Sequence, residues 1–193
     1  MIVGVLLAAG VGTRFGGGKL LAPLPDGTPV GVRAASNLRA GDDRGVAVVR
    51  PADLRLASLL EREGFDLARF PRAEEGMGAS LAFGVASSPE ADGWLVALAD
   101  MPFIRPGTIE AVSRSLRGGA WIAAPSHLGR RGHPVAFSRV LFPDLVRLSG
   151  DEGARSLLAT HAARVETFDC DDPGIFVDVD TSSDLVSGCP EGI

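Results

Sequence analysis

Apolar residues along this chain fall into two rhythms: brief unbroken runs, and longer stretches in which charges are interleaved. Ile2 to Ala8, Gly45 to Val49, Trp94 to Ala99 and Trp121 to Ala124 are short and apolar throughout, the pattern of strands covered on both faces. Ala52 to Glu63 instead spaces Leu54, Leu56, Leu59 and Leu60 among charges, which predicts a helix. Ala79 to Ala86 and Thr108 to Leu116 predict two more, the second announced by Pro106. Ser156 to His161 continues a helix that begins near Glu152. Such alternation predicts an α/β fold, a mostly parallel sheet with helices packed against it. Gly129 to Phe137 breaks the rhythm with Gly, Arg, His and Pro and reads as a loop or hairpin inserted beside the sheet. Ser187 to Ile193 has little periodicity and reads as a frayed tail. No internal repeat is present, so residues 1–193 are expected to form a single domain.

Composition narrows the partners. With 46% hydrophobic and 22% charged residues, 193 positions can bury a substantial core. The net charge of -5 argues against nucleic acid, which selects for basic surface. Any anionic ligand must then be met by a local cationic cluster. Cys170 and Cys189 are too few for a disulfide framework or a zinc site, and His127, His133 and His161 show no paired metal-binding spacing. No stretch reaches the roughly 18 apolar residues of a membrane span, and the start lacks the basic segment of a secretion signal. The expected compartment is the cytoplasm.

The densest candidate chemistry follows the first strand. Gly10-Val11-Gly12-Thr13-Arg14-Phe15-Gly16-Gly17-Gly18-Lys19 carries five glycines in ten residues. Glycines let backbone amides approach a ligand closely, and successive N–H groups form an anion-binding nest. Arg14 and Lys19 add formal positive charge, so a polyphosphate suits the loop. A Walker A loop would need Gly where Thr13 stands and Ser or Thr where Leu20 stands. The dinucleotide fingerprint would need its third Gly at Phe15. A short-chain dehydrogenase would call for a catalytic tyrosine, and the chain has none.

Asp100 closes the run Trp94 to Ala99 and precedes Met101-Pro102. A carboxylate at the C-terminal end of a central strand stands where parallel α/β sheets place their ligands, and it suits Mg²⁺, which takes one or two carboxylates plus phosphate oxygens and waters. A turn or N-cap aspartate is the competing reading. Later, Val177-Asp178-Val179-Asp180-Thr181 alternates as a strand would, putting Asp178 and Asp180 on one face. Two close carboxylates repel unless a cation or a proton relieves them. One of Asp180 and Thr181 can equally cap the last helix. Two further polar clusters, Gly129 to Val135 and Gly150 to Arg155, bring arginines to glycine-flanked turns, and arginine can grip phosphate bidentately. The Gly78-Ala79-Ser80 step could present amides at a helix N-terminus. Solvated loops are the alternative for all three.

Leu7-Ala8-Ala9-Gly10 with Gly12, Arg14, Gly16, Lys19-Leu20-Leu21 and Pro23-Leu24, the triplet Asp100-Met101-Pro102, and the late Asp178 to Asp184 segment together resemble the molybdenum cofactor cytidylyltransferase and guanylyltransferase family. Motifs near 74–81, 129–135 and 150–155 extend the resemblance over nearly the whole chain, while 25–45 matches loosely and Thr181-Ser182-Ser183-Asp184 departs from the commoner Thr-Pro-Glu-Asp. The resemblance implies a Rossmann-like three-layer α/β/α nucleotidyltransferase fold. It also implies transfer of a nucleoside monophosphate to the terminal phosphate of a molybdopterin-type cofactor, with release of pyrophosphate and dependence on Mg²⁺. Leu7, Ala8, Ala9, Gly10, Gly12 and Ser80 are then expected to contact the nucleotide, with Arg14 and Lys19 on its phosphates. Asp100 is expected to hold the metal with Asp178 or Asp180, Asp178 favoured. Arg131, His133, Asp151 and Arg155 are expected to border the phosphorylated pterin, and a molybdoenzyme apoprotein is a possible recipient of the product. Leu-Ala-Ala-Gly marks the cytidylyl branch and Leu-Ala-Gly-Gly the guanylyl branch, so CTP is the expected nucleotide. A flavin- or NAD-linked oxidoreductase and a non-catalytic cofactor carrier are the rival readings.

Overall fold

A computed structural model describes residues 1–10, 15 and 17–187. The strands are β1 (Ile2–Leu7), β2 (Arg44–Val49), β3 (Phe65–Arg69), β4 (Gly93–Leu98), β5 (Ile122–His127), β6 (Arg130–Arg131), β7 (Val135–Ser138) and β8 (Val165–Asp169). The helices are α1 (Val30–Leu38), α2 (Leu54–Arg62), α3 (Met77–Ala86), α4 (Pro106–Arg117), α5 (Phe142–Leu145), α6 (Arg155–Thr160) and α7 (Asp184–Ser187). All eight strands join one sheet in the order β3-β2-β1-β4-β7-β5-β6, with β8 pairing to β5. The β3-β2-β1-β4 half is parallel, β7 runs antiparallel to both β4 and β5, and β8 is parallel to β5.

Strand alternation sorts the core into two layers. Leu6 of β1 and Leu95 of β4 point toward Leu38, Leu60 and Ile109 of α1, α2 and α4. Their neighbours Val3, Val5 and Trp94 point the other way, toward Leu81, Leu145 and Leu157 of α3, α5 and α6. A side-chain period of two therefore gives one sheet two apolar faces, each covered by helices. The alternation predicted the helix-covered sheet, and the family resemblance implied its three-layer Rossmann-like form.

Some expectations change in detail. Gly129 to Phe137 is not an insertion beside the sheet: Arg130–Arg131 pairs with β5, and Val135 onward enters the sheet between β4 and β5. Val135, Ala136 and Phe137 are buried there, so apolar burial overrides the turn signal of Gly132, His133 and Pro134. Glu152 to Ala154 forms turns, and the helix expected from near Glu152 starts at Arg155. Val177 to Asp180, which alternates as a strand would, forms no strand of the sheet.

That last segment belongs to a strap across the ends of the central strands. Buried Asp172 anchors it by accepting hydrogen bonds from Arg105 N (2.9 Å), Thr108 Oγ1 (2.6 Å) and Gly174 N (3.1 Å). Downstream, His133 N donates to Ile175 O (3.1 Å) and Val179 N to Asp100 O (2.8 Å). Among the described residues, no helix is long and apolar enough to cross a membrane.

Candidate functional site

The site collects at the C-terminal ends of β1 and β4, which lie side by side with Leu7 opposite Leu98. Such an edge carries the ligand crevice of open parallel sheets, because the loops leaving adjacent strands converge there. From β1 comes Ala8-Ala9-Gly10. From β4 comes Asp100, two residues beyond the strand. Lys19 opens a short 3-10 turn, Lys19–Leu21, whose preceding residue Gly18 is left-handed (φ 72°, ψ 12°), a conformation that favours glycine. Leu20 is buried beneath, so the turn is held while the lysine side chain reaches across the site.

Lys19 Nζ donates to Asp100 Oδ2 at 2.7 Å and to Asp180 Oδ1 at 3.3 Å. Its side chain is only 11% exposed. Burial alone would lower the lysine's pKa, but the hydrogen bonds and charges of Asp100 and Asp180 outweigh it and raise it above the ordinary value. The bond from Val179 N to Asp100 O is what delivers Asp180, one residue on, to this point. Asp178 faces outward and is exposed, and its field is felt by His133 instead. Asp184 Oδ2 accepts from the amides of Asp180 (3.0 Å) and Thr181 (2.6 Å), so the capping contact of the last helix comes from its own first residue.

Two cavities open beside this cluster. One, of about 370 Å³, is bordered by Leu7, Ala9, Gly10, Lys19, Ser80 and Asp100. The other, of about 320 Å³, has an apolar floor including Leu7, Val96, Leu98 and Phe137, and a polar wall of Arg131, His133, Asp151 and Arg155. Leu7, Met77, Leu98 and Asp151 border both, so the two spaces adjoin. Arg131 and Arg155 are exposed and make no ion pair among the described residues. His133 is mostly buried, its Nδ1 covered and without a hydrogen-bond partner. Burial lowers its pKa, Arg131 adds to the effect, and Asp100 and Asp178 oppose it. Burial thus disfavours the imidazolium and suits the ring to hydrogen bonding rather than to holding charge.

The structure thus brings together Leu7, Ala9, Gly10, Lys19, Ser80, Asp100 and Asp180 on one side and Arg131, His133, Asp151 and Arg155 on the other. Gly12 and Arg14 lie outside the described residues. Ala8 borders neither cavity; its side chain is buried in the core and its amide donates to Val48 O (2.9 Å). The α3 terminus is not an open nest at Gly78 or Ser80: Gly78 N donates to Gly150 O (2.7 Å) and Ser80 N to Gly76 O (3.1 Å). Gly76 and Met77 lie in the 74–81 motif that carries the resemblance, but neither was expected individually as a site residue. Gly76 has φ 103°, and a Cβ there would collide with Oδ1 of Asp151, so this glycine lets the 150–155 turn close onto α3. Its place just before an apolar helix, three residues after Ala73, was the available signal. Also passed over was a cavity of about 190 Å³ that Gly10, Lys19 and Leu20 border as well, where Arg50 holds Asp53 through both carboxylate oxygens (2.8 and 2.9 Å).

Asp100 and Asp180 fit a divalent cation, because oxygens from both already converge on one positive centre, the Lys19 ammonium. Two carboxylates completed by ligand oxygens and water are the donor set Mg²⁺ accepts. Among the described residues no cluster of three or more His, Cys, Asp or Glu side chains offers a richer site.

Comparison with known proteins places the chain. Residues 4–165 match the family described as the MobA-like NTP transferase domain. Nicotine blue oxidoreductase of Paenarthrobacter nicotinovorans is 34% identical over 188 residues, covering 93% of this chain and 92% of that protein. Purine catabolism protein PucB of Bacillus subtilis (strain 168) is 30% identical over 190 residues, with the same coverage. The crystal structure of Rv0371c from Mycobacterium tuberculosis H37Rv superposes with a TM-score of 0.82 at 30% identity, covering 96% of this chain and 97% of that one. The same protein has been crystallised with manganese, and that structure superposes with a TM-score of 0.80 at 28% identity over 97% of this chain and 99% of that one. The chain belongs to the MobA-like NTP transferase family, and its enzymatic class is nucleotidyltransferase.

Proposed function

We propose that this nucleotidyltransferase moves CMP from CTP to the terminal phosphate of a molybdopterin-type cofactor, releasing pyrophosphate with the help of Mg²⁺. The observation that carries the reading is the meeting of Lys19, Asp100 and Asp180 beside the Leu7–Gly10 loop, next to a cavity walled by two arginines that make no ion pair among the described residues. A phosphate oxygen of the acceptor attacks the α-phosphorus of the nucleotide, the bond to the bridging oxygen breaks, and the electron pair leaves with pyrophosphate. At neutral pH a phosphate monoester is already ionised, so the reaction needs alignment and charge neutralisation more than a base.

In this reading Lys19 and Arg14 are the cations that meet the β- and γ-phosphates and compensate the charge gathering on the leaving group. Asp100 with Asp180 would hold Mg²⁺, which when bound supplies Lewis-acid neutralisation of phosphate charge. Arg131 and Arg155 grip the acceptor phosphate across the shared wall at Asp151. The apolar floor of Leu7, Val96, Leu98 and Phe137 suits a flat heterocycle. His133 donates or accepts a hydrogen bond at that wall. The Leu7-Ala8-Ala9-Gly10 start supports CTP. Ala9 is only 3% exposed, with its methyl packed in the core, so backbone contacts at Ala9 and Gly10 carry more of the choice of base than direct steric exclusion does.

The product is expected to pass to a molybdoenzyme apoprotein. A second reading is favoured by one observation, the name of a relative that ends in oxidoreductase. It would require a dinucleotide bound along the β1 loop. Against it, Phe15 stands where the dinucleotide fingerprint needs its third glycine, and among the described residues the first α-helix after β1 is α1, beginning at Val30. Thermal shift with CTP, GTP, NAD and NADPH, with and without Mg²⁺, separates the two. A shift with CTP and Mg²⁺ alone supports transfer, and a shift with NADPH alone overturns it.

A further inference from the structure

In the reading just given, Lys19 meets the triphosphate while Asp100 and Asp180 meet a divalent ion. In the structure Lys19 is paired with both of these carboxylates. The ammonium stands 2.7 Å from Asp100 Oδ2 and 3.3 Å from Asp180 Oδ1, the position from which both carboxylates would reach a metal. A divalent ion arriving alone must evict a monovalent cation that is largely withdrawn from water and paired twice, while the evicted ammonium gains no new anion.

We propose that Lys19 is a built-in counter-ion that closes the metal site to the bare ion, and that the nucleotide's phosphates open it by drawing the ammonium away. The inference rests on the nucleotidyl-transfer reading for the identity of the displacing anion. Three features support it. First, the backbone that carries Lys19 is held by the left-handed Gly18, by Leu21 N donating to Gly18 O (2.9 Å) and by Ala22 N donating to Lys19 O (3.1 Å). Exchange therefore needs only rotation about the side chain's own bonds, with the Gly18–Ala22 turn left in place. Second, Lys19 and Asp100 both border the 370 Å³ cavity, so the ammonium has space to turn into and an anion bound there would lie within its reach. Third, the main chains that carry the two carboxylates stay together once the lysine leaves, because Val179 N is bonded to Asp100 O, and the Asp180 and Thr181 amides are tied to Asp184. Two like charges kept close make a site that recruits a cation.

The consequence is an order of binding. Triphosphate comes first or brings its metal with it, and the bare ion binds poorly. This keeps the Asp100–Asp180 pair from being filled by divalent ions when no nucleotide is present.

The test is a pair of titrations on the full chain. Mn²⁺ binding without nucleotide is measured by calorimetry or by loss of the free-ion EPR signal, and CTP binding is measured in EDTA. Lys19→Met, which keeps the aliphatic stem, should tighten Mn²⁺ binding by about ten-fold or more and weaken metal-free CTP binding by about ten-fold or more. Adding Asp180→Asn to Lys19→Met should cancel the gain in Mn²⁺ affinity, which locates the effect at this pair. Circular dichroism and thermal melts check folding, and Lys19→Gln carries the same test if the methionine variant does not fold. Mn²⁺ affinity that is unchanged or weaker in a folded Lys19 variant overturns the proposal. So does tighter Mn²⁺ binding with CTP affinity unchanged, since phosphates would then not be what moves the lysine. Wild-type protein that binds no CTP or GTP at all refutes the nucleotidyl-transfer reading, a result distinct from the Mn²⁺ comparison.

Discussion

Replacing Asp42 by Asn should make this protein more stable at neutral pH and should do so far less in acid. Asp42 follows α1, and its side chain is fully buried. Oδ1 accepts from Arg39 Nη1 at 2.6 Å, but Oδ2 has no partner. The carboxylate is lodged against Gly4 in the middle of β1, where any Cβ would collide with it. Burial raises the carboxyl pKa, Asp43 adds repulsion and Arg39 offsets only part, so the group titrates at about 6 instead of 3.8. A folded-state pKa above the unfolded one means the native state prefers the proton. The stability this group supports is complete below pH 3.8 and is lost as pH rises through about 6. At about 1.36 kcal/mol per pH unit, ionisation costs about 3 kcal/mol by pH 7.5 and about 1 kcal/mol at pH 4.5. Asn carries no charge at either pH, although its amide would leave a buried donor unpaired, at a pH-independent cost of about 1–3 kcal/mol. The stability difference between Asp42→Asn and wild type should therefore shift in favour of the variant by about 2 kcal/mol between pH 4.5 and 7.5. Urea denaturation of both proteins at the two pH values measures it. A difference that does not change with pH would refute the reasoning, whatever its sign.

Arg155→Ala should raise the KM for the phosphorylated acceptor by roughly ten- to a hundred-fold and leave CTP affinity nearly unchanged, since one charge-assisted contact to phosphate is worth about 1.5–3 kcal/mol; equal losses for both ligands would erase the division between the two cavities. His133→Leu should weaken the acceptor by roughly ten-fold with kcat within about three-fold, and a kcat loss beyond about a hundred-fold would instead make the imidazole a proton-transfer group. CTP should be preferred over GTP in kcat/KM by a modest factor, on the order of ten-fold, because the choice rests on a few backbone hydrogen bonds, each worth about 0.5–1.5 kcal/mol. A higher value with GTP would move the chain to the guanylyl branch.

The central strands could be read directly from the chain because parallel strands buried on both faces leave unbroken apolar runs, as Ile2 to Leu7 and Trp94 to Leu98 do. The edges could not. Phe65–Arg69 buries only Phe65 and Ala68 fully, and Val165–Asp169 exposes Glu166, Thr167 and Asp169, so neither shows the apolar run of a central strand. Val30–Leu38 carries buried Val30, Ala34, Ala35 and Leu38 at helical spacing, but small residues make that signal weak. In the site, Asp100 and Lys19 stood out because their neighbours in sequence already define a strand end and a glycine turn. Which of Asp178 and Asp180 reaches Lys19 depended on a tertiary bond, Val179 N to Asp100 O, that no local pattern encodes. Likewise, the approach of the 150–155 turn to Gly76 joins segments more than seventy residues apart.

Whether this site transfers a nucleotide is decided by following pyrophosphate and the labelled nucleotide together. Purified protein is given α-labelled CTP, Mg²⁺ and a molybdopterin-type acceptor, alongside Asp100→Asn, which keeps the shape of the side chain but removes its charge. The proposed reaction requires pyrophosphate and labelled acceptor in equal amounts, and a rate for Asp100→Asn lower by roughly a hundred-fold or more with the fold intact. Wild-type-like turnover in that variant, or binding of CTP without any pyrophosphate release across candidate phosphorylated acceptors, would contradict it.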